Sequence, residues 1–256
     1  MLDTNPQNLE ALEKWALTRD WFYRYQLPSG AITPGPVDEI LRLHEARRDT
    51  MLSVLSDRFG DRLSQIDCID LASHEGFFSF ELARRTRSVR GVDVRSDSVE
   101  AARKMAILQG VTNTDFVTRN VYDLSVASFP PADFVLLYGL IYHTEDPVRV
   151  LRTASELARD TLLIETQVAA LELGGDVEWG HYKSRKPIEG IFVVIADDHH
   201  REGGTTGIAL IPSVSALRFV LGQMGFATVH LIAPPADEPE QLARGRRVII
   251  AAHRTN

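Results

Sequence analysis

Between residues 66 and 165 the sequence alternates short apolar runs with longer segments whose apolar residues recur every three or four positions. The short runs have the length of strands, and the segments between them have the period of amphipathic helices. This alternation is typical of a parallel sheet covered by helices. It predicts strands at 66–71, 89–94, 115–118, 133–137 and 161–165, and helices at 77–85, from 97 or 98 to 109, and at 147–158.

The N-terminal part of the chain follows a different pattern. Residues 8–18 and 37–58 carry apolar side chains at helical spacing. The stretch 27–36 between them contains three prolines and two glycines, which exclude regular structure. We therefore expect a helical cap or lid over residues 1–60 and a sheet domain over 61–256.

The C-terminal part first interrupts the alternation and then resumes it. Residues 170–210 carry two glycine pairs and a proline, and so long an excursion in a compact domain predicts a lid insertion. A helix is predicted at 213–224, followed by strands at 227–232 and 247–253. A late pair of strands predicts an antiparallel edge on the parallel sheet.

The composition excludes several classes of protein. Apolar residues make up 44% of the chain and charged residues 25%, which is the range of globular proteins. No apolar run reaches the ~18 residues of a membrane span. Thirty-five acidic residues against 28 basic ones give a net charge of −7, which disfavours a broad basic face for nucleic acid. One cysteine, Cys68, cannot form an internal disulfide, and the first residues do not resemble a secretory signal, so we expect a cytoplasmic protein.

Residues suited to binding follow the predicted strands. Ligands of open α/β sheets bind beyond the carboxyl ends of the strands, and the segment from Asp70 to Gly76 follows the first strand there. It has one glycine and matches the dinucleotide-binding pattern poorly. Asp93 ends the second strand, where an acid can bind both hydroxyls of a ribose. The alternative is that Asp70 caps the next helix and Asp93 is a loop acid.

Two later strands add to this edge. Asn120 and Val121 follow the third strand, and a side-chain amide beside a free backbone N–H suits the edge of an adenine. Tyr138 and Gly139 end the fourth strand on the same rim. Together these positions favour a bound adenosyl group.

Longer stretches of the sequence resemble a known family. DLASHEGFFSFELARR, LLYGLIYHTEDPVRVL, LLIETQV and IPSVSALRFVLGQMGF are similar to segments of class I S-adenosylmethionine (SAM)-dependent methyltransferases. The resemblance is to the subgroup that contains the tRNA wobble-uridine carboxymethyltransferase, and bacterial saccharide O-methyltransferases look similar. It covers residues 66–253. The first loop departs from the usual acid-x-Gly-x-Gly-x-Gly, because Ala72 and His74 stand at the first two glycines and only Gly76 remains.

The resemblance implies a doubly wound, mostly parallel, Rossmann-like sheet with a reversed last strand and SAM as the cofactor. Asp70, Ala72 and Gly76 would lie at its methionine end, and Tyr138 and Gly139 at the amino-acid part. The remaining positions that it implies are Asp93 and Val94 for the ribose, Asn120 and Val121 for the adenine, and Tyr142 beside the transferable group.

His143 is the predicted catalytic base. Transfer of a methyl group to an alcohol requires a base that takes the hydroxyl proton, and histidine titrates near neutral pH. His143 follows Tyr142 on the ligand-binding rim. The alternative is a structural histidine that hydrogen-bonds the turn at 144–146.

Other polar and aromatic residues are candidates for the substrate or a metal. Glu165 ends the fifth strand and would accept a hydrogen bond from a substrate hydroxyl, or else cap its loop. His181 and Tyr182 lie in the insertion as candidate substrate contacts, and Trp21 is a candidate stacking residue or a core residue. Asp198 and His199 are candidate ligands for Mg²⁺, although their acidic run also reads as a solvated loop.

These predictions lead to a SAM-dependent O-methyltransferase that acts on a hydroxyl of a small molecule, with a sugar or oligosaccharide as the leading acceptor. The alternative is a tRNA wobble-uridine (carboxy)methyltransferase, which the net charge of −7 disfavours. A catalytically idle adenosyl-binding protein is the third hypothesis. No membrane association is expected, and a homodimer stays open.

Overall fold

The computed structural model describes residues 6–179, 184–197, 203–233 and 240–255. The described residues form a central sheet and two hairpins. In chain order the strands are β1 (Asp67–Leu71), β2 (Ser88–Asp93), β3 (Thr114–Thr118), β4 (Ala132–Tyr138), β5 (Ala158–Gln167), β6 (Asp176–Trp179), β7 (Ser184–Pro187), β8 (Phe192–Ala196), β9 (Ile208–Pro212), β10 (Thr228–Ile232) and β11 (Arg247–His253).

The helices are α1 (Pro6–Thr18), α2 (Asp38–Phe59), α3 (Phe77–Ala83), α4 (Ser96–Leu108), α5 (Pro147–Leu157), α6 (Val214–Gln223) and α7 (Glu240–Ala243). Helices α1 to α6 lie where the helical periodicity predicts them, and the short α7 lies between the last two strands, where no helix is predicted. Two of them begin at side chains that cap them. Asp146 accepts from the N–H of Arg149 at the start of α5, and Ser213 accepts from the N–H of Ala216 at the start of α6. Pro147 stands at the first position of α5. A backbone N–H at this position would have no partner within the helix, so a proline costs no hydrogen bond there.

The central sheet has seven strands in the order β10-β11-β5-β4-β1-β2-β3. β1 to β5 pair in parallel, and β11 is antiparallel to both β5 and β10. The predicted α/β, doubly wound, mostly parallel sheet with a reversed last strand is confirmed. The strand order adds one detail to the prediction: β11 lies between β5 and β10, so β10 forms the edge of the sheet. The chain order reverses between β1 and β4, where such sheets open a crevice for a ligand.

Both faces of the sheet are covered, so successive residues of β1 enter two different hydrophobic clusters. Cys68 packs with α2, α3 and α4, and Ile69 and Leu71 pack with α5 and α6. Asp70 shares the face of Cys68 and is buried there. The interior of this central strand is therefore buried on both faces, and it carries the carboxyl of Asp70 inside the protein.

The predicted insertion between β5 and α6 contains two hairpins, β6–β7 and β8–β9. The second hairpin contacts the rim of the sheet, because the N–H of Leu210 donates to the carbonyl of Thr144 at 3.0 Å. Within the described residues, no helix has the length and apolar character needed to cross a bilayer.

Candidate active site

The loop between β1 and α3 has the backbone of a glycine-rich turn although it contains one glycine. Ala72 has φ 62°, His74 has φ 50° and Gly76 has φ 86°, so all three are left-handed. For a residue with a side chain this conformation costs roughly 1–2 kcal/mol. The departures from the glycine pattern therefore leave the loop's shape intact, and the strain lies where a ligand would contact the backbone.

Asp93 lies beside this loop and holds it. Its Oδ2 accepts from the N–H of His74 at 2.8 Å, and its Oδ1 accepts from the N–H of Arg95 at 2.9 Å. The side chain is buried, and it lines a cavity at this edge of the sheet. Each carboxylate oxygen can accept a further hydrogen bond, so the group suits two neighbouring hydroxyls.

The cavity opens at the carboxyl ends of β1, β2 and β4. Most of the predicted cofactor and catalytic residues line it, which supports their assignment to one site. These are Ala72, Asp93, Val94, Asn120, Val121, Tyr138, Gly139, Tyr142 and His143. Asn120 also shapes the rim locally, since its Oδ1 accepts from the N–H of Tyr122 at 3.0 Å.

Asp70 and Gly76 are not among the residues that line the cavity, and their contact with the cofactor stays a prediction. The Oγ of Ser79 donates to Asp70 at 2.6 Å, and burial raises the pKa of Asp70 to about 7. A Cβ at Gly76 would lie 2.9 Å from Phe116 and 3.0 Å from Phe80. Both residues support the loop from below, and Asp70 serves the first turn of α3, as the alternative interpretation had it.

His143 faces a carboxylate from the insertion. Its Nδ1 lies 3.2 Å from Oδ2 and 3.3 Å from Oδ1 of Asp197, which follows β8. Asp197 is buried, and its Oδ2 also accepts from the N–H of Gly204 at 2.6 Å. The geometry differs from the alternative in which the ring would bind the turn at 144–146.

Glu165 is buried and forms ion pairs with two arginines. Its Oε2 lies 2.8 Å from Nη2 of Arg47, and its Oε1 lies 2.8 Å from Nη1 of Arg247. The same nitrogen of Arg247 donates to the hydroxyl of Tyr142 at 2.9 Å. Two guanidinium groups thus face the oxygens of Glu165, which is not among the residues that line the cavity, and its hydrogen bond with a substrate hydroxyl stays a prediction.

Arg47 extends this cluster into the cavity wall. Its guanidinium lies 5.2 Å from the ring centre of Tyr138, and a Cβ at Gly139 would lie 3.1 Å from its Nη2. The buried Nε of Arg47 has no hydrogen-bond partner within the part of the chain that the structure describes. The cavity wall thus carries a cationic donor with one N–H unused.

The aromatic segment before the loop divides between core and site. Trp21 is 2% exposed and its Nε1 donates to the carbonyl of Ala16 at 2.7 Å, so it packs in the core, which was the alternative interpretation for this residue. Its neighbours Phe22 and Tyr23 line the cavity. The ring of Tyr23 stacks on Phe77, with centres 4.9 Å apart.

Four predicted residues lie outside the described part of the chain: His181, Tyr182, Asp198 and His199. Among the residues that are described, no group of three or more histidine, cysteine, aspartate or glutamate side chains is placed to hold a metal ion. The structure therefore gives no support to the predicted Mg²⁺.

Arg47, Asp197 and Arg247 were missed as site residues by the sequence analysis. Arg47 did leave a signal, because it stands four residues after Leu43 and four before Met51 on the buried stripe of α2. An arginine in such a stripe needs a buried partner. Arg247 reads as part of a solvated basic run, and Asp197 as part of a solvated acidic run, so neither has a local signal.

One stretch of this chain matches a protein-family model. Residues 63–177 match the family described as "Methyltransferase domain". Over 92 residues the chain is 28% identical to the ubiquinone biosynthesis O-methyltransferase of Neisseria meningitidis serogroup A / serotype 4A (strain DSM 15465 / Z2491), a match that covers 36% of this chain and 39% of that protein. The chain thus spans about two-fifths of the length of the curated relatives it matches.

Solved structures share the fold along most or all of the chain. The N-terminal domain of EvdMO1, determined in the presence of S-adenosylhomocysteine (SAH) and D-fucose, has a TM-score of 0.71 at 18% identity, over 100% of this chain and 98% of that one. Magnesium protoporphyrin IX methyltransferase from Synechocystis PCC 6803 with bound SAM has a TM-score of 0.56 at 17% identity, over 87% and 86%. At these identities the likeness establishes the fold, which is the Rossmann-like fold of methyltransferases.

Proposed function

We propose that this chain, in which residues 63–177 form a methyltransferase domain, transfers a methyl group from SAM to a hydroxyl of a small molecule, with a sugar or oligosaccharide as the acceptor. One observation carries the proposal. A single cavity contains both the carboxylate of Asp93, suited to a ribose, and His143, paired with the buried Asp197. A nucleoside-binding acid and a histidine base in one cavity are what methyl transfer to an alcohol requires.

The residues present fit SAM, which supplies a methyl group on a positively charged sulfur that is a good leaving group. Asp93 would bind the ribose hydroxyls, and Asn120 and Val121 would contact the adenine. Gly139 is left-handed, at φ 71°, and a Cβ at this position would crowd the guanidinium of Arg47. The absence of a side chain there leaves space for a ligand beside the backbone. The unused Nε–H of Arg47 would donate to the carboxylate of the methionine part.

In this proposal His143 acts on the acceptor. SAM, when bound, would supply the methyl carbon that the acceptor oxygen attacks and the sulfur leaving group, and Nε2 of His143 would take the hydroxyl proton. General base catalysis of this kind contributes roughly 10²–10⁴-fold to a rate. The cavity wall supplies alignment of the reacting groups, which is the other main source of rate in a displacement.

Two relatives support a hydroxyl acceptor. The N-terminal domain of EvdMO1 was determined with SAH and D-fucose, and the curated relatives are O-methyltransferases. The net charge of −7 gives tRNA phosphates little attraction to this chain. We therefore place a sugar hydroxyl ahead of a tRNA base as the acceptor.

Analysis of the methylated products tests the acceptor. The chain is incubated with methyl-labelled SAM and either D-fucose, other free sugars, an oligosaccharide mixture or total tRNA, and labelled products are identified by mass spectrometry. We expect label in a sugar methyl ether. Label in tRNA alone would support the alternative acceptor and overturn the sugar proposal.

Calorimetry with SAH tests the cofactor site separately. Asp93→Asn removes the charge from the carboxylate that would bind the ribose, and hydrogen bonds to charged groups contribute about 1.5–3 kcal/mol, so affinity should fall about 10- to 100-fold. The matched control is Asp97→Asn, whose side chain is 72% exposed and lies outside the cavity wall. Absence of SAH binding by the unsubstituted chain would refute the proposed function.

A further inference from the structure

We propose that Asp197 is a positioning residue that fixes the tautomer of His143, so that the insertion between β5 and α6 completes the catalytic base. The inference rests on the proposed function, because it assigns a role to Asp197 in the deprotonation of the acceptor. It adds a residue that the sequence does not single out for this task.

The contact between the two side chains determines where the imidazole proton lies. Both oxygens of Asp197 lie within 3.3 Å of Nδ1 of His143, and the side chains are 7% and 18% exposed, respectively. An ionised carboxylate only accepts hydrogen bonds. The neutral ring therefore carries its proton on Nδ1, and Nε2 keeps the lone pair that a base needs.

Several contacts from the insertion hold Asp197 in this place. The N–H of Gly204 donates to its Oδ2 at 2.6 Å, and its own N–H donates to the carbonyl of Gly207 at 3.1 Å. Position 204 tolerates only glycine, since a Cβ there would lie 2.3 Å from the carbonyl oxygen of His143. The turn from Gly203 to Gly207 thus wraps the carboxylate and lies directly against the histidine.

The same turn is tied to the nucleotide side of the cavity. The guanidinium of Arg95 donates to the carbonyl of Gly203. Arg95 follows Asp93, and its N–H donates to that carboxylate. One continuous set of hydrogen bonds therefore links the acid that would bind the ribose, the turn of the insertion and the carboxylate that faces the base.

The chemistry of proton transfer explains why a carboxylate is useful here. When Nε2 of His143 takes the hydroxyl proton, the ring becomes an imidazolium with N–H groups on both nitrogens. The Nδ1–H stays bonded to Asp197, whose negative charge stabilises the positive ring. The carboxylate itself stays ionised, so it orients and stabilises without exchanging a proton.

A purely structural role for Asp197 makes a different prediction. If the residue only anchors the turn through Gly204, then any side chain with an acceptor oxygen would replace it. Asp197→Asn separates the two roles, because its amide oxygen can still accept from Gly204 while its NH₂ group donates to Nδ1 of His143. The proton of the ring would then move to Nε2 and block the base.

Nitrogen NMR of the chain with bound SAH, recorded over a pH series in which the neutral form of the ring is identified, measures this directly. His143→Gln identifies the signals of the ring. We expect the proton on Nδ1 in the unsubstituted chain and on Nε2 in Asp197→Asn. The control is Asp176→Asn, an exposed acid in the same insertion at the start of β6, which should leave the tautomer unchanged.

Methyl transfer to the acceptor found in the product analysis gives the second measurement. Asp197→Asn should lower kcat by about 10²–10⁴-fold, with SAH affinity and the KM of the acceptor changed less than about threefold. In a chain that already carries His143→Gln, adding Asp197→Asn should cost nothing further, because the residue acts only through the ring.

The outcomes separate the inference from the proposed function. A chain that binds SAH and methylates a sugar, yet carries the His143 proton on Nε2, overturns the inference alone. Independent, multiplicative losses in the double variant overturn it too. A chain with the expected tautomer that transfers no label to any acceptor leaves the pairing intact and refutes the proposed function.

Discussion

The backbone N–H of Phe22 donates to Oε2 of Glu75 at 3.0 Å, which joins the N-terminal segment to the loop between β1 and α3. Arg19 donates to Oε1 of the same side chain at 3.3 Å, and the hydroxyl of Tyr25 donates to the carbonyl of Glu75 at 2.9 Å. Glu75 is fully buried. The wall of the cavity that Phe22 and Tyr23 supply therefore depends on one carboxylate in the loop.

Replacing Glu75 by alanine should loosen both elements at once. Glu75 accepts two hydrogen bonds through its carboxylate, and each such bond contributes about 1.5–3 kcal/mol, so we expect a loss of about 3–6 kcal/mol in the free energy of unfolding. Amide exchange at 19–25 should accelerate, and SAH affinity should fall about tenfold. Glu81→Ala is the control, because its pairs with the exposed Arg84 and Arg85 contribute less than about 1 kcal/mol. Unchanged exchange at 19–25 in Glu75→Ala would contradict the coupling.

Ala72→Gly should stabilise the protein. At φ 62° the Cβ of Ala72 carries roughly 1–2 kcal/mol of strain, while the extra freedom of glycine in the unfolded chain costs about 0.5–1 kcal/mol. The net gain is about 0.5–1 kcal/mol, measurable by urea unfolding. Ala46→Gly, in the middle of α2, is the matched control and should lose about 1 kcal/mol. A loss in both variants would show that the loop is unstrained.

The fold and the nucleotide side of the site could be predicted because their signals are local. Strand length, helical period and chain order place Asp93, Asn120 and Tyr138 at one rim before any contact is known. The partners of those residues could not be predicted in this way. Asp197 contacts His143 because the hairpin β8–β9 folds back onto the rim of the sheet. Glu165 contacts arginines from α2 and β11, which are far away in the sequence.

The surroundings of Glu165 and Trp21 could not be predicted for a related reason. A carboxylate at the end of a strand has the same local sequence whether a substrate or a buried guanidinium faces it, as Glu165 illustrates. In an aromatic run such as 21–25, likewise, neither helical spacing nor strand alternation indicates which rings are buried in the core. Trp21 became a core residue because its indole N–H finds the carbonyl of Ala16 at the end of α1, whereas Phe22 and Tyr23 turn toward the cavity.

Glu165→Gln should be among the most destabilising single changes in the protein. It leaves Arg47 and Arg247, whose side chains are 6% and 11% exposed, without the negative charge that balances them. Breaking a buried ion pair by removing one partner costs about 3–5 kcal/mol. Thermal and urea unfolding measure the loss. Glu156→Gln on the exposed face of α5 is the control and should change stability by less than about 0.5 kcal/mol. Equal stability of the two variants would contradict the role of Glu165 as the counter-charge.

The last prediction concerns the pH dependence of stability and follows from Asp70. Burial raises the pKa of this carboxyl from 3.8 to about 7, despite the hydrogen bond from Ser79. Between these values the folded protein holds a proton that the unfolded chain releases. The contribution of Asp70 to the free energy of unfolding is therefore fully present below about pH 4 and is lost as the pH rises to about 7.

Asp70→Asn should remove this dependence, because its side chain stays neutral and can still accept from Ser79. Since one pKa unit corresponds to about 1.4 kcal/mol, the variant should exceed the unsubstituted protein in stability by about 1–4 kcal/mol near pH 8. Near pH 4 the two proteins should be almost equally stable, because Asp70 is then protonated when folded. Urea unfolding of the ligand-free proteins at both pH values measures the difference, with the exposed Asp97→Asn as the control that should show none. A variant that is less stable near pH 8 would mean that Asp70 is ionised in the folded protein and that its negative charge contributes to stability.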